Sequence, residues 1–184
     1  PRDQAKTINL GLFYGMGKAK LQAELGISKD KAEDLFKIYH DRVPFVKTLM
    51  NSVSNRAQQR GQIRTLLGRL CRFHLWEPNQ FGVHKALPFE QARQEYGSGI
   101  KRAYTYKALN KLIQGSAADM TKKSMLELYK EGIVAHIQVH DELDISVEDD
   151  IKAKRIKEIM ESAVELEIPN KVDYESGKNW GDIK

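Results

Sequence analysis

The chain has 184 residues, 41% of them hydrophobic and 30% charged, with 30 Lys/Arg against 25 Asp/Glu and a net charge of +5. That length allows one good-sized domain or two small ones. No apolar run approaches bilayer length, no signal-peptide pattern opens the sequence, and a single cysteine, Cys71, excludes an internal disulfide framework. The expectation is a protein without a membrane partner in a reducing compartment, the cytoplasm or, for a viral protein, the host cytoplasm. An opening on Pro1 rather than methionine reads as part of something longer.

Residues 2–14 favour a helix that Gly15 and Gly17 break, and 18–25 a second, short helix stopped at Gly26. Ser28 is suited to cap a helix over 29–41, with Pro44 just beyond its end. A helix over 44–60 ends at Gly61. QIRTLL (62–67) reads as a short strand turned by Gly68. Two prolines, Pro78 and Pro88, with Gly82, Gly97 and Gly99, make 70–100 mostly loop. Residues 104–130 are helical again, with a bend expected near Gly115. IVAHIQV (133–139) and LDISV (143–147) alternate with period two and form a hairpin. An amphipathic helix over 151–166 and a short tail complete the chain, with no internal repeat.

The modest net charge conceals an asymmetry. Residues 1–123 carry 22 Lys/Arg against 10 Asp/Glu, whereas 124–184 carry 8 against 15. Within 42–115 there are 13 basic residues and three acids, Glu77, Glu90 and Glu95. Such a block is an electrostatic footprint for a polyanion, nucleic acid above all; a solvated basic face is the plain alternative.

The hairpin carries His140, Asp141 and Glu142 at its turn, where like charges repel and neither His-Asp nor Asp-Glu is a favoured dipeptide. His136 and His140 do not form a zinc pair, because residues four apart on a strand lie roughly 13 Å from each other. Asp141 and Glu142 are suitable oxygen ligands for Mg²⁺, whose charge offsets their repulsion. An exposed charged turn is the alternative. On the first helix Arg2, Lys6, Leu10 and Tyr14 recur every four residues, a stripe about 18 Å long. Two cations suit a triphosphate, and an apolar residue and an aromatic suit sugar and base, while Gly11 and Gly15 admit close approach. The alternative is an amphipathic helix that buries Leu10 and Tyr14.

Taken together, these residues resemble family A DNA polymerases. The pattern Arg-x3-Lys-x7-Tyr-Gly stands at Arg2, Lys6, Tyr14 and Gly15, and the His-Asp-Glu motif at His140, Asp141 and Glu142. TLLGR (65–69), ALNKLIQGSAAD (108–119) and NW (179–180) also look like family segments, in the right order. The resemblance implies an α+β fold, part of a right-hand polymerase: a mostly helical fingers segment over 1–100, then a palm segment over 101–184 with the catalytic hairpin. It implies template-directed DNA synthesis, in which the primer 3′-hydroxyl attacks the α-phosphate of a dNTP between two Mg²⁺ ions. Arg2, Lys6, Leu10, Tyr14 and Gly15 would bind the nucleotide, with Lys6 also stabilising charge during transfer. Arg69, Asn110, Gln114 and His140 would contact primer-template DNA, and Asp141 and Glu142 would hold metal.

Three departures stand out. The family's other metal-binding aspartate lies upstream in a motif not found here, so the 184 residues alone are expected to be inactive without that part of the polymerase. Leu10 stands where Phe or Tyr is usual. Tyr106 stands where many bacterial relatives have arginine, in a stretch between Gly68 and Asn110 longer than theirs, which points to a phage or other divergent branch. Two other readings compete. A single-subunit RNA polymerase shares the Lys…Tyr-Gly helix and a His-Asp turn but usually has Ser after that Asp. A non-catalytic nucleic-acid-binding module would keep the basic surface alone.

Overall fold

A computed structural model describes residues 2–80, 82–83 and 85–183. The fold is α+β, with helices α1 (Arg2–Phe13), α2 (Lys18–Leu25), α3 (Lys29–Arg42), α4 (Pro44–Arg60), α5 (Phe89–Tyr96), α6 (Ala108–Lys130) and α7 (Asp150–Ser162). Six strands, β1 (Gln62–Arg64), β2 (Leu70–Arg72), β3 (Trp76–Pro78), β4 (Ile100–Arg102), β5 (Ile137–Val139) and β6 (Glu142–Asp144), form three antiparallel pairs in the order β1-β2, β3-β4 and β5-β6. No described helix is long and apolar enough to cross a membrane. The chain divides into two compact units, Pro1–Ile113 and Gln114–Lys184. The division falls inside α6.

The helix ends follow local chemistry. Ser28 caps α3 by accepting from the Lys31 amide at 3.4 Å, and Asp149 caps α7 by accepting from the Lys152 amide at 2.7 Å. Gly61 ends α4 with φ 68, and a Cβ there would lie 2.7 Å from the Arg102 guanidinium carbon, so this turn needs glycine for both backbone and space. Arg102 is thereby spent inside the first unit. Its Nε donates to the Gln58 carbonyl at 3.1 Å and a terminal nitrogen to the Phe73 carbonyl at 3.0 Å, and it stacks 4.6 Å from the Trp76 ring.

Residues 70–100 are more ordered than the expected loop. Pro88 and Gly97 are not loop residues but the two ends of α5, the proline-before, glycine-after arrangement of a helix. Trp76 anchors the segment through a bridge to Leu87 and an edge contact with Phe89, ring centres 5.1 Å apart. Lys85 and Glu95 pair at 2.8 Å, which raises the lysine's pKa and lowers the carboxyl's. Val53, Ala57, Ile63, Phe73, Ala108 and Leu109 form the core of this unit.

In the second unit Leu128, Ile133, Ile156 and Ile159 form the core, and Leu143 and Ile145 of the hairpin segment pack against it. The ladder is shorter than the alternation suggested: three pairs, Ile137 with Asp144, Gln138 with Leu143 and Val139 with Glu142. Ile133 leaves the strand pattern because it is buried in the core. At the end of α6, Glu131 accepts from Arg155 Nε of α7 at 3.0 Å and from a second guanidinium nitrogen, a two-pronged pair that holds the Glu131 carboxyl below its ordinary range. Helix α7 ends at Ser162, earlier than the expected 166.

Candidate functional site

In the hairpin, Val139 pairs with Glu142, leaving a two-residue turn made of His140 and Asp141. A two-residue hairpin turn needs positive φ at its first central position, because only then does its twist match the strands. His140 supplies it with φ 53; among the described non-glycine residues only Tyr104 shares that sign. Gln138 Nε2 donates to the His140 carbonyl at 2.6 Å and fastens the turn. The unfavoured dipeptide is therefore held in the geometry that glycine would adopt freely, at a cost of about 1 kcal/mol. Replacing His140 with glycine is expected to stabilise the second unit by about 0.5 kcal/mol, the strain relieved exceeding glycine's extra unfolded-state entropy. Chemical denaturation measures this, and a loss of stability would mean that the imidazole itself is a structural contact.

Period two sets the rest of the site. Leu143 and Ile145 face the core, so Glu142 and Asp144 share the opposite face. Asp141 and Glu142 are exposed, and among the described residues neither carboxylate meets a cation. Asp144, not singled out in the sequence, has one carboxyl oxygen shielded from solvent without a hydrogen-bond partner among the described residues; the period-two alternation after Glu142 is the signal that marks it. His140 and Gln138 also line a groove of about 350 Å³ with Ala118, Thr121 and Lys122 of α6. No set of three or more His, Cys, Asp or Glu side chains among the described residues is grouped to hold a metal. Asp141 on the turn and Glu142 beside it are two carboxylates of the kind that a hard divalent ion takes as oxygen ligands.

In the first unit, α1 turns Leu12 into the interior, 1% exposed, and Phe13 onto the core. Arg2 and Lys6 are exposed, and Leu10 is 47% exposed. The alternative of an amphipathic helix burying Leu10 does not hold; the apolar anchor is Leu12. Tyr14 is half-buried with its ring edge-on to Phe13 at 5.3 Å. Gly15 carries φ 85, and at Gly11 a Cβ would collide with the Met16 methyl, so that glycine admits the chain's own thioether. TLLGR closes a tight loop: the Thr65 amide donates to the Arg69 carbonyl at 2.9 Å and the Arg69 amide to Thr65 Oγ1 at 3.0 Å, leaving the Arg69 side chain exposed. Asn110, half-buried, and Gln114, exposed, stand one turn apart on α6. The structure thus places His140 and Asp141 on one turn with Glu142 next to it at the start of β6, and Arg2, Lys6 and Leu10 on one exposed helix.

Residues 1–182 match the sequence pattern of DNA polymerase family A. The chain belongs to that family. A DNA-directed DNA polymerase of Pseudomonas phage M6 is 32% identical over 214 aligned residues, covering 98% of this chain and 29% of the phage protein. DNA polymerase I of Bacillus caldotenax is 34% identical over 192, covering the whole chain and 20% of the relative. The solved POL domain of Pol1 from M. smegmatis, in complex with DNA primer-template and dNTP, superposes with a TM-score of 0.68 at 28% identity, covering 91% of this chain and 28% of that one. This family A chain therefore spans between a fifth and 29% of the length of these relatives.

Proposed function

We propose that the chain supplies nucleotide-binding and metal-binding parts of a template-directed DNA polymerase, which acts on primer-template DNA and dNTPs in the cytoplasm of its cell or host. The observation that carries this reading is a pair of exposed carboxylates, Asp141 on the two-residue turn and Glu142 at the adjoining start of β6, neither meeting a cation among the described residues of a family A chain. Residues 1–100 are read as fingers and 101–184 as palm.

In this reading Arg2 and Lys6 hold the triphosphate, and both are exposed with no carboxylate partner among the described residues. Leu10 lies against the sugar, and Tyr14 and Gly15 bound the base. Arg69, Asn110, Gln114 and His140 meet the primer-template. Asp141 and Glu142 would hold Mg²⁺, two ions being needed with a further aspartate from another part of the polymerase. When bound, the metal lowers the charge barrier between the attacking and leaving oxygens. The contribution of Lys6 is electrostatic, a fixed positive charge where negative charge builds on the leaving phosphates.

Incorporation of dNTPs into a primer, directed by the template, by the protein at its natural length tests the reading. Primer-independent incorporation of ribonucleotides would replace it with the RNA polymerase alternative, and DNA binding without incorporation would favour the non-catalytic module.

Leu10 gives a sharper expectation. An apolar side chain cannot replace the hydrogen bond lost when a nucleotide lacks its 3′-hydroxyl, whereas a tyrosine hydroxyl can. Leu10→Tyr is expected to relax discrimination against dideoxynucleotides by roughly ten- to a hundred-fold. Competing dideoxy- and deoxynucleotides in single-addition assays measure this; an unchanged ratio would mean that Leu10 does not face the sugar.

A further inference from the structure

Residues 96–118 contain no Asp or Glu, but four cations and three tyrosines. Two of the cations are spent: Lys101 faces Glu77 at 3.9 Å, and Arg102 is bound inside the fold. Lys107 and Lys111 remain exposed, and among the described residues neither pairs with a carboxylate. The Lys107 ammonium lies 5.1 Å from the centre of the Tyr104 ring and 5.6 Å from that of Tyr106, while Lys111 lies 5.4 Å from the Phe73 ring. Tyr106 is 59% exposed, a large aromatic left in water beside an unneutralised cation.

The backbone here is also held under strain. Tyr104 adopts φ 62, a left-handed conformation that a non-glycine residue keeps only where its surroundings impose it. The Lys107 amide donates to the Tyr104 carbonyl at 3.0 Å, and Ser54 Oγ of α4 donates to the Thr105 carbonyl at 3.1 Å. Together they fix the turn over Thr105–Lys107 and hold Tyr106 outward.

We propose that Tyr106, with Lys107 and Lys111, is a stacking site for an unpaired stretch of the template strand; this rests on the reading of the chain as part of a template-copying polymerase. A flat exposed ring beside cations is the chemistry that binds single-stranded nucleic acid without regard to sequence, since every base has a π-face. Lys107 ends the turn that leads into α6 and Lys111 lies in the first turn of that helix, four residues on, so both can meet the sugar-phosphate backbone of one strand. A nucleic-acid strand fits better than an acidic protein surface, because the exposed ring offers a base a face to stack on.

The protein at its natural length is titrated with a fluorescein-labelled oligothymidylate and, separately, with a blunt duplex. Tyr106→Ala and Tyr106→Leu are expected to weaken oligothymidylate binding by roughly five- to a hundred-fold, and Tyr106→Phe to stay within about two-fold of the parent. The loss should be larger for the oligothymidylate than for the duplex. Lys107→Ala should reduce the slope of log affinity against log salt by about 0.7. Equal losses on both DNAs, no loss, or Tyr106→Leu binding as well as Tyr106→Phe would each overturn the proposal. Because Tyr106 is exposed, the variants are expected to keep the parent's melting temperature. If primers are extended normally while Tyr106→Ala binds like the parent, the stacking site falls and the polymerase reading stands. If primers are not extended but the ring still governs oligothymidylate binding, the polymerase reading falls instead.

Discussion

Asp141→Asn, in the protein at its natural length, is expected to lower kcat for primer extension by about a hundred-fold or more, with binding of primed DNA changed by no more than a few-fold. The asparagine keeps the size of the side chain and loses the charge that in the proposed reading would hold a divalent ion, and with it the several kcal/mol of transition-state stabilisation that the ion would supply. The substitution should not disturb folding, because Asp141 is exposed and meets no cation among the described residues. Single-turnover incorporation at saturating dNTP isolates the chemical step, and raising the Mg²⁺ concentration should recover part of the loss. Near-normal turnover would remove Asp141 from the metal site.

Lys6→Ala is expected to lower kcat/KM for the incoming dNTP by about 10²–10³, the scale found when one preorganised donor is removed from developing negative charge. The effect should divide between KM and kcat, since in the proposed reading the ammonium would act on the bound triphosphate and on the transition state alike. Lys6→Arg keeps the charge but spreads it over a planar fork, so only partial recovery is expected. Arg2 and Lys6 lie one turn apart on the same exposed face of α1, so the double variant should lose less than the product of the two single losses. A kcat/KM within two-fold of the parent would leave Lys6 as a solvated cation of a surface helix.

The helical ends were legible because single residues decide them: Ser28, Gly26 and Gly61 act within one turn of the chain, and the sequence shows them directly. The hairpin motif was legible for the same reason, although its ladder is shorter than the alternation suggests because Ile133 and Ile145 serve the core rather than the strand pairing. Residues 70–100 were not legible. Their order comes from contacts across sequence gaps, Trp76 with Leu87, Phe89 and Arg102, which no local pattern announces. The basic block was legible as charge but not as use, since Arg102 is turned inward while Lys107 and Lys111 stay out. Leu10 was legible as part of a stripe; that Leu12 and not Leu10 would anchor the helix follows from tertiary packing.

The turn carboxylates take no part in holding the second unit together. Leu143 and Ile145 seat the hairpin from behind, Gln138 fastens the turn, and Glu131 with Arg155 joins the adjoining helices. In the proposed reading, structural integrity and reactivity are therefore written in different side chains of one eight-residue stretch, 138–145. If Asp141 and Glu142 hold metal as proposed, a lineage can change its metal preference there without renegotiating its heat tolerance, and can drift in the buried positions without rewriting its chemistry.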